Sequence, residues 1–205
     1  MIQISNLSKK YGETVVFSDL NYTFENACIY GLVGRNGAGK TTLLNILSNY
    51  DKNYTGVISI DRKKMNKVDY LDMPVAYAMD QPSFFNELTI YENLLLIASS
   101  RKIKKQEAFD KIERILDGLG LKKYKNYSPL ELSKGTMQRL NNACAMIQEE
   151  KITIFDEPFS GLDPVQMKLL ENVIVEFHKK EKGIYIISSH DIECLQNVCD
   201  KCLLL

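Results

Sequence analysis

The nonapeptide "GRNGAGKTT" at 34–42 constrains this chain more than any other feature. An apolar run, "ACIYGLV" (27–33), precedes it, and the helix-like "TTLLNILSNY" follows. Strand, glycine-rich turn and helix in that order, with the spacing G-x-x-x-x-G-K-[ST], predict a loop that wraps phosphate. Gly34, Gly37 and Gly39 let the backbone turn its N–H groups inward, while Arg35, Asn36 and Ala38 fill out the loop. The N-terminus of the following helix adds positive potential. Lys40 supplies a point charge for β- and γ-phosphates, the Thr41 hydroxyl can ligate Mg²⁺, and Thr42 completes the motif. The alternative, a chance glycine-rich turn, does not account for a correct strand and a correct helix on either side.

A second apolar strand, "ITIF" (152–155), delivers Asp156 and Glu157 together. Asp156 suits the Mg²⁺ shell, and the neighbouring carboxylate suits orientation or deprotonation of a water. Phosphoryl transfer to an alcohol needs no such water, so the pair favours hydrolysis. Two short matches point elsewhere. "NKVD" (66–69) and "DGLG" (117–120) resemble guanine-reading and switch motifs of GTPases. Asn66 follows the polar "DRKKM" where a buried strand should end, and Asp117 falls at the end of a helix.

The rest of the chain sets bounds. With 205 residues it is long enough for a real core, and 26 basic side chains balance 26 acidic ones, so no electrostatic footprint for nucleic acid is expected. No apolar run reaches the ~20 residues of a membrane span, and "MIQISNLSKKYGE" lacks the apolar centre of a signal peptide. A cytosolic chain with reduced thiols is expected. Cys194, Cys199 and Cys202 have a spacing seen in some iron–sulfur ligation, but "DIECLQNVCDKCLLL" reads as an amphipathic helix running into a strand, with Cys as a small apolar residue. "GIYIISS" (183–189) is a third buried strand, and the segment before residue 27 alternates like an antiparallel sheet. Between 83 and 135 the pattern is helical and charged, with Phe109, Ile112, Ile115, Leu116 and Leu119 on one stripe and Gly118 and Gly120 ending it. Asp163 and Pro164 read as N-cap and first residue of a later helix, in which His178 is structural.

With both phosphate-site motifs in place, "LSKGTMQRL" (132–140) becomes informative. The chain resembles the nucleotide-binding subunits of ABC transporters over nearly its whole length. The signature L-S-G-G-Q of that family corresponds to Leu132, Ser133, Lys134, Gly135 and Thr136. Gln81 resembles the Q-loop glutamine, "SGLD" (160–163) the D-loop with Asp163, His190 the switch histidine and Tyr11 the aromatic that stacks on adenine. The resemblance implies an α/β fold, a P-loop NTPase of ABC-ATPase type. It implies a mostly parallel core sheet, an N-terminal antiparallel β-subdomain and an inserted helical lobe. One domain then covers 1–205, with core at 1–82 and 136–205 and lobe at 83–135.

The resemblance further implies Mg²⁺-dependent ATP hydrolysis in a head-to-tail pair of ATPase subunits. Ser133 and Gly135, with Lys134, Thr136 and Asp163 beside them, would cap the nucleotide held by the other subunit, and the helix starting near Met137 would aim its positive end there. Tyr11 and Val16 would hold adenine, Gln81 would touch Mg²⁺, and His190 would contact the γ-phosphate. A separate transmembrane permease would place the subunit on the inner face of the membrane, with export slightly preferred on the form of the "SKG" signature. Lys134 and Thr136 depart from the family pattern, Arg62 stands where a glycine is common, and a chain stopping at "KCLLL" suggests no accessory domain. The alternatives are a soluble ABC-type ATPase acting on ribosomes, DNA or cofactor assembly, and a regulatory module without turnover. A single ATPase unit without sustained heptads speaks against the first, and Glu157 against the second.

Overall fold

The computed structural model describes residues 1–68 and 72–205. Three of the apolar runs become the centre of a five-stranded sheet. β3 (Cys28–Val33), β7 (Ile152–Phe155) and β8 (Ile184–Ser189) are buried at every position, as parallel strands covered on both faces must be. With β6 (Val75–Ala78) and β9 (Lys201–Leu204) they form the order β6-β7-β8-β3-β9, every neighbouring pair parallel. Val33 pairs with Ser189 and Phe155 with Ile187, so the strands finish together at one edge. Ligands of parallel α/β sheets bind outside that carboxyl edge.

The alternating N-terminus forms a second sheet, antiparallel, of order β2-β1-β4-β5. Its strands are β1 (Ile2–Tyr11), β2 (Thr14–Phe24), β4 (Thr55–Ile60) and β5 (Lys63–Lys64). Helix α1 (Lys40–Leu47) lies between the two sheets. It buries Leu43, Leu44, Ile46 and Leu47 in one cluster with Ile2, Phe24, Tyr30 and Ile186. Full burial of such side chains contributes about 1.5–3 kcal/mol each, which fixes the phosphate-loop helix against both sheets.

A second cluster joins the other face of the parallel sheet to α2 (Ile90–Ser100), α3 (Lys105–Gly118), α4 (Lys134–Met146) and α5 (Pro164–Glu181). Thr89 and Glu92 close a capping box on α2, and Asp163 caps α5 through the Gln166 N–H at 2.9 Å. His178 bonds the Gly183 carbonyl at 3.2 Å just past α5, a structural contact. Two expectations change. α4 begins at Lys134 rather than near Met137, because the Ser133 side chain accepts the Thr136 N–H and so starts the helix one turn earlier. Phe109 leaves the α3 stripe: it is 44% exposed, with the Lys125 ammonium over its ring.

The cysteine segment forms α6 (Glu193–Gln196) and β9, and Cys199 and Cys202 pack on Gly31. Among the described residues no cluster of His, Cys, Asp and Glu is set to hold a metal by itself. Asn66 lies in a short 3-10 turn and Asp117 inside α3, neither at a strand end; Asp69 lies outside the described residues.

Two glycines at positive φ make a test of this packing. A Cβ at Gly56 (φ +101) would sit 2.4 Å from the Asn6 carbonyl oxygen, whereas one at Gly12 (φ +56) would meet nothing within 4 Å. Gly56→Ala is expected to lose more than the ~1–3 kcal/mol of backbone strain, and Gly12→Ala no more than that strain. Urea denaturation of both variants measures the difference, and equal losses would contradict the packing of β1 on β4.

Candidate functional site

The site forms where β3, β7 and β8 end. After Val33 the chain turns through Gly34–Gly39 into α1, with Gly37 at φ +85 and Gly39 at φ +98. A Cβ on Gly39 would lie 2.7 Å from Val16 Cγ1 and 2.8 Å from Phe17 Cζ, so only glycine lets the loop lie this close to β2. The Ala38 N–H donates to the Arg35 carbonyl at 3.0 Å and closes the turn, with Asn36 and Gly37 exposed at its tip. The Lys40 side chain is buried. Its ammonium donates to the Gly34 carbonyl at 2.8 Å and the Arg35 carbonyl at 3.4 Å, and lies 3.5 Å from Glu157 Oε1. Thr41 is exposed and Thr42 half-buried at the start of α1.

From β7 the chain delivers Asp156, 1% exposed, and then Glu157 in the left-handed region at φ +48. Ser188 holds both: its hydroxyl donates to Asp156 Oδ1 at 2.5 Å and accepts the Glu157 N–H at 2.8 Å. Tyr77 donates to Asn45 Oδ1 at 3.1 Å and reaches Asp156 Oδ2 at 3.4 Å. Burial and then the Asp156 charge push the Tyr77 phenol far above its ordinary range, so it stays a donor. Burial also raises the Asp156 pKa above the usual carboxylate range. Hydrogen bonds from Ser188 and Thr41 oppose the shift, while the charges of Asp80 and Glu157 add to it. The site thus holds acidic oxygens close together with a hydroxyl, a hard donor set that fits Mg²⁺.

Glu157 is the junction of the site. Its Oε1 faces Lys40, and its Oε2 lies 2.9 Å from His190 Nδ1, just beyond β8. Its carbonyl accepts from Gln138 Nε2 at 3.3 Å. Gln81 is exposed three residues past β6, and no hydrogen bond among the described residues joins it to Asp156 or Glu157. Tyr11 stands half-exposed at the β1–β2 hairpin.

The "LSKGT" segment lies at the start of α4. Ser133 and Lys134 are exposed, and Ser133 Oγ lies 2.9 Å from Thr136 Oγ1. Thr136 is 3% exposed and also accepts from Arg139 at 3.2 Å, so it braces Ser133 from inside instead of facing outward. A Cβ on Gly135 would lie 2.9 Å from the Gly161 carbonyl, and the Lys134 stem lies along Gly161. The "LSKGT" and "SGLD" segments therefore form one surface.

A family model described as ABC transporter matches residues 17–160. The chain belongs to the ABC transporter family. It is 32% identical over its full length to an uncharacterized ABC transporter ATP-binding protein of Methanocaldococcus jannaschii, of which it covers 73%. It is 30% identical, again over its full length, to the tungstate uptake system ATP-binding protein TupC of Peptoclostridium acidaminophilum, covering 94% of that protein. A solved ATP-binding subunit of an ABC transporter superposes with a TM-score of 0.90 at 28% identity, covering all of this chain and 85% of that one. The fold is that of an ABC-type P-loop ATPase: antiparallel N-terminal sheet, parallel core sheet and helices.

Ser188, Tyr77, Asp80 and Gln138 are the site residues of this ABC subunit that sequence reasoning missed. Ser188 had one signal, its position two residues before His190 at the end of a buried strand. Because the fold raises the Asp156 pKa, its carboxylate opposes folding above its unfolded pKa. That cost grows as pH rises through the window between the unfolded and the raised folded value, and is absent below it. Asp156→Asn is expected to raise the thermal midpoint at pH 7 and to lose that advantage in acid. Equal midpoints at pH 7 would contradict the assignment.

Proposed function

We propose that this chain hydrolyses ATP as the nucleotide-binding subunit of a membrane transporter, working through a separate permease. The observation that carries hydrolysis is the placement of Glu157 between Lys40 and His190 at the carboxyl edge of the parallel sheet. Backbone N–H groups of 34–40 and the Lys40 ammonium bind the β- and γ-phosphates, and Tyr11 with Val16 receives the adenine. Thr41 and Asp156, with Gln81 from the neighbouring loop, would hold Mg²⁺, which neutralises charge on the phosphate oxygens. Glu157 accepts the proton of the attacking water as its oxygen bonds to the γ-phosphorus and the bond to the β-phosphate oxygen breaks. His190 orients that carboxylate and contacts the γ-phosphate. A positioned base of this kind contributes about 10²–10⁴-fold in rate.

The signature face supports pairing with a second ATPase subunit. Ser133 and Lys134 are exposed at the N-terminus of a 13-residue helix, whose first N–H groups and dipole favour an anion. No hydrogen bond among the described residues ties them to the chain's own phosphate loop. In the pair, Ser133 and Gly135 meet the nucleotide on the other subunit, and Asp163 lies on the same surface. The buried Thr136 contributes only by holding Ser133.

A groove of about 560 Å³ between the edge strand β6 and α2, lined by Tyr50, Met73, Tyr77, Met79, Ile97 and Arg101, supports docking of a permease helix. Among the described residues no helix is long and apolar enough to cross a membrane, so the spans would come from that partner. The subunit would then sit on the inner face of the membrane. The relatives include a tungstate uptake protein and a bacitracin transport protein, so the preference for export rests on the form of the signature alone.

Glu157→Gln is expected to cut steady-state phosphate release at least ~100-fold while ATP-bound dimer accumulates in size-exclusion runs. Adding Ser133→Arg should abolish that dimer without weakening ATP binding to the monomer. Turnover near wild type in the first variant, or undiminished dimer in the second, would remove those residues from their roles. Purification of the tagged chain from its own cell in mild detergent is expected to bring a multi-span membrane protein in stoichiometric amount. Recovery only with ribosomes, DNA or assembly proteins would contradict the transport reading.

A further inference from the structure

Lys9, on β1, has a side chain only 1% exposed, and lysine is almost never buried this far without a partner. Its ammonium lies 2.8 Å from Asp51 Oδ2, donates to the Asn53 carbonyl at 2.6 Å and stands 4.4 Å from the centroid of the Tyr11 ring. The Tyr11 hydroxyl donates to the same Asp51 oxygen at 3.1 Å, and Asp51 Oδ1 accepts the Asn53 N–H at 2.9 Å. Burial works against the Asp51 charge, yet bonds from Lys9, Asn53 and Tyr11 together hold its carboxyl below the ordinary range. The Asp51 N–H in turn donates to the Asn45 carbonyl of α1 at 3.0 Å.

The ring is therefore fixed at two places. Its hydroxyl is tied through Asp51 to the phosphate-loop helix, and one of its faces carries a buried cation. Tyr11 as a whole remains 52% exposed. The same hairpin, in which Tyr11 pairs with Thr14, brings Val16 against Gly39 of the phosphate loop.

We propose that Lys9 and Asp51 are positioning residues for recognition of the nucleotide base. They hold the Tyr11 ring as a preset platform, and the Lys9 charge draws π-density toward the covered face, so that the open face stacks more strongly on an electron-rich purine. The inference rests on the reading that Tyr11 stacks on adenine. It assigns a part in base recognition to a cation that itself touches no nucleotide.

Equilibrium binding of ATP and of inorganic tripolyphosphate to the full chain separates base from phosphate contacts. Tyr11→Leu and Lys9→Met are each expected to weaken ATP binding by about tenfold, within the range of one base–aromatic stack, and to leave tripolyphosphate binding unchanged. In the Tyr11→Leu background Lys9→Met should add nothing, and Lys9→Arg should keep most of the native affinity. Asp51→Asn gives a second route to the same loss if Lys9→Met does not fold. Native ATP affinity in both Lys9→Met and Asp51→Asn, with Tyr11→Leu impaired, overturns the inference and leaves the platform standing. Unchanged affinity in Tyr11→Leu overturns the platform and the inference together. Equal weakening of ATP and tripolyphosphate by Lys9→Met shows a general structural loss and also overturns it.

Discussion

The Ser188 hydroxyl is the small group on which the site depends. β7 and β8 run parallel with Phe155 opposite Ile187, so the next residues on each strand, Asp156 and Ser188, face each other at the sheet edge. One hydroxyl then does two things: it donates to a buried carboxylate, opposing the upward pKa shift that burial causes, and it accepts the N–H of a residue at positive φ. A non-glycine residue in that conformation costs on the order of 1–3 kcal/mol and persists only where its surroundings impose it. In this conformation the Glu157 side chain reaches both Lys40 and His190.

Helix α4 supplies the rest of the constraint. From one stretch of it, Gln138 donates to the Glu157 carbonyl, Asn141 to the Met79 carbonyl at 2.7 Å and Asn142 to the Pro158 carbonyl at 3.2 Å. Arg139 reaches the Leu119 carbonyl at 2.7 Å, at the end of α3. These are buried amides and a guanidinium satisfying loop carbonyls that would otherwise be orphaned, each at the cost such groups carry when unpaired. The helix that opens with the exposed Ser133 therefore grips the loops after β6 and β7 in its second and third turns. Asn142 Oδ1 is buried without a hydrogen-bond partner among the described residues.

What could be read from the sequence was what local patterns encode. The phosphate loop, the three buried strands, the Asp163 cap and the Asp156–Glu157 pair each show themselves within a few residues, through glycine spacing, apolar runs or capping chemistry. Ser188 pairs with a residue 32 positions away and Lys9 with one 42 positions away, so neither contact has any period or motif in the chain. The inward turn of Thr136 is hidden in the sequence for a related reason. Within a linear motif every position looks equally presented, and only the helix start at Lys134 shows that the fourth residue of the segment counted from Ser133 turns inward. Phe109 fits the helical stripe by spacing, yet its ring lies 44% exposed beside the Lys125 ammonium.

The central claim is that the catalytic glutamate acts on a nucleotide whose enclosure needs the signature face of a second subunit. The dependence of ATPase specific activity on protein concentration tests it most directly. For the purified chain the account requires specific activity to rise with concentration and to level off only as dimers become the major species. A specific activity constant across that range would show that one chain completes its own site, and would contradict the account.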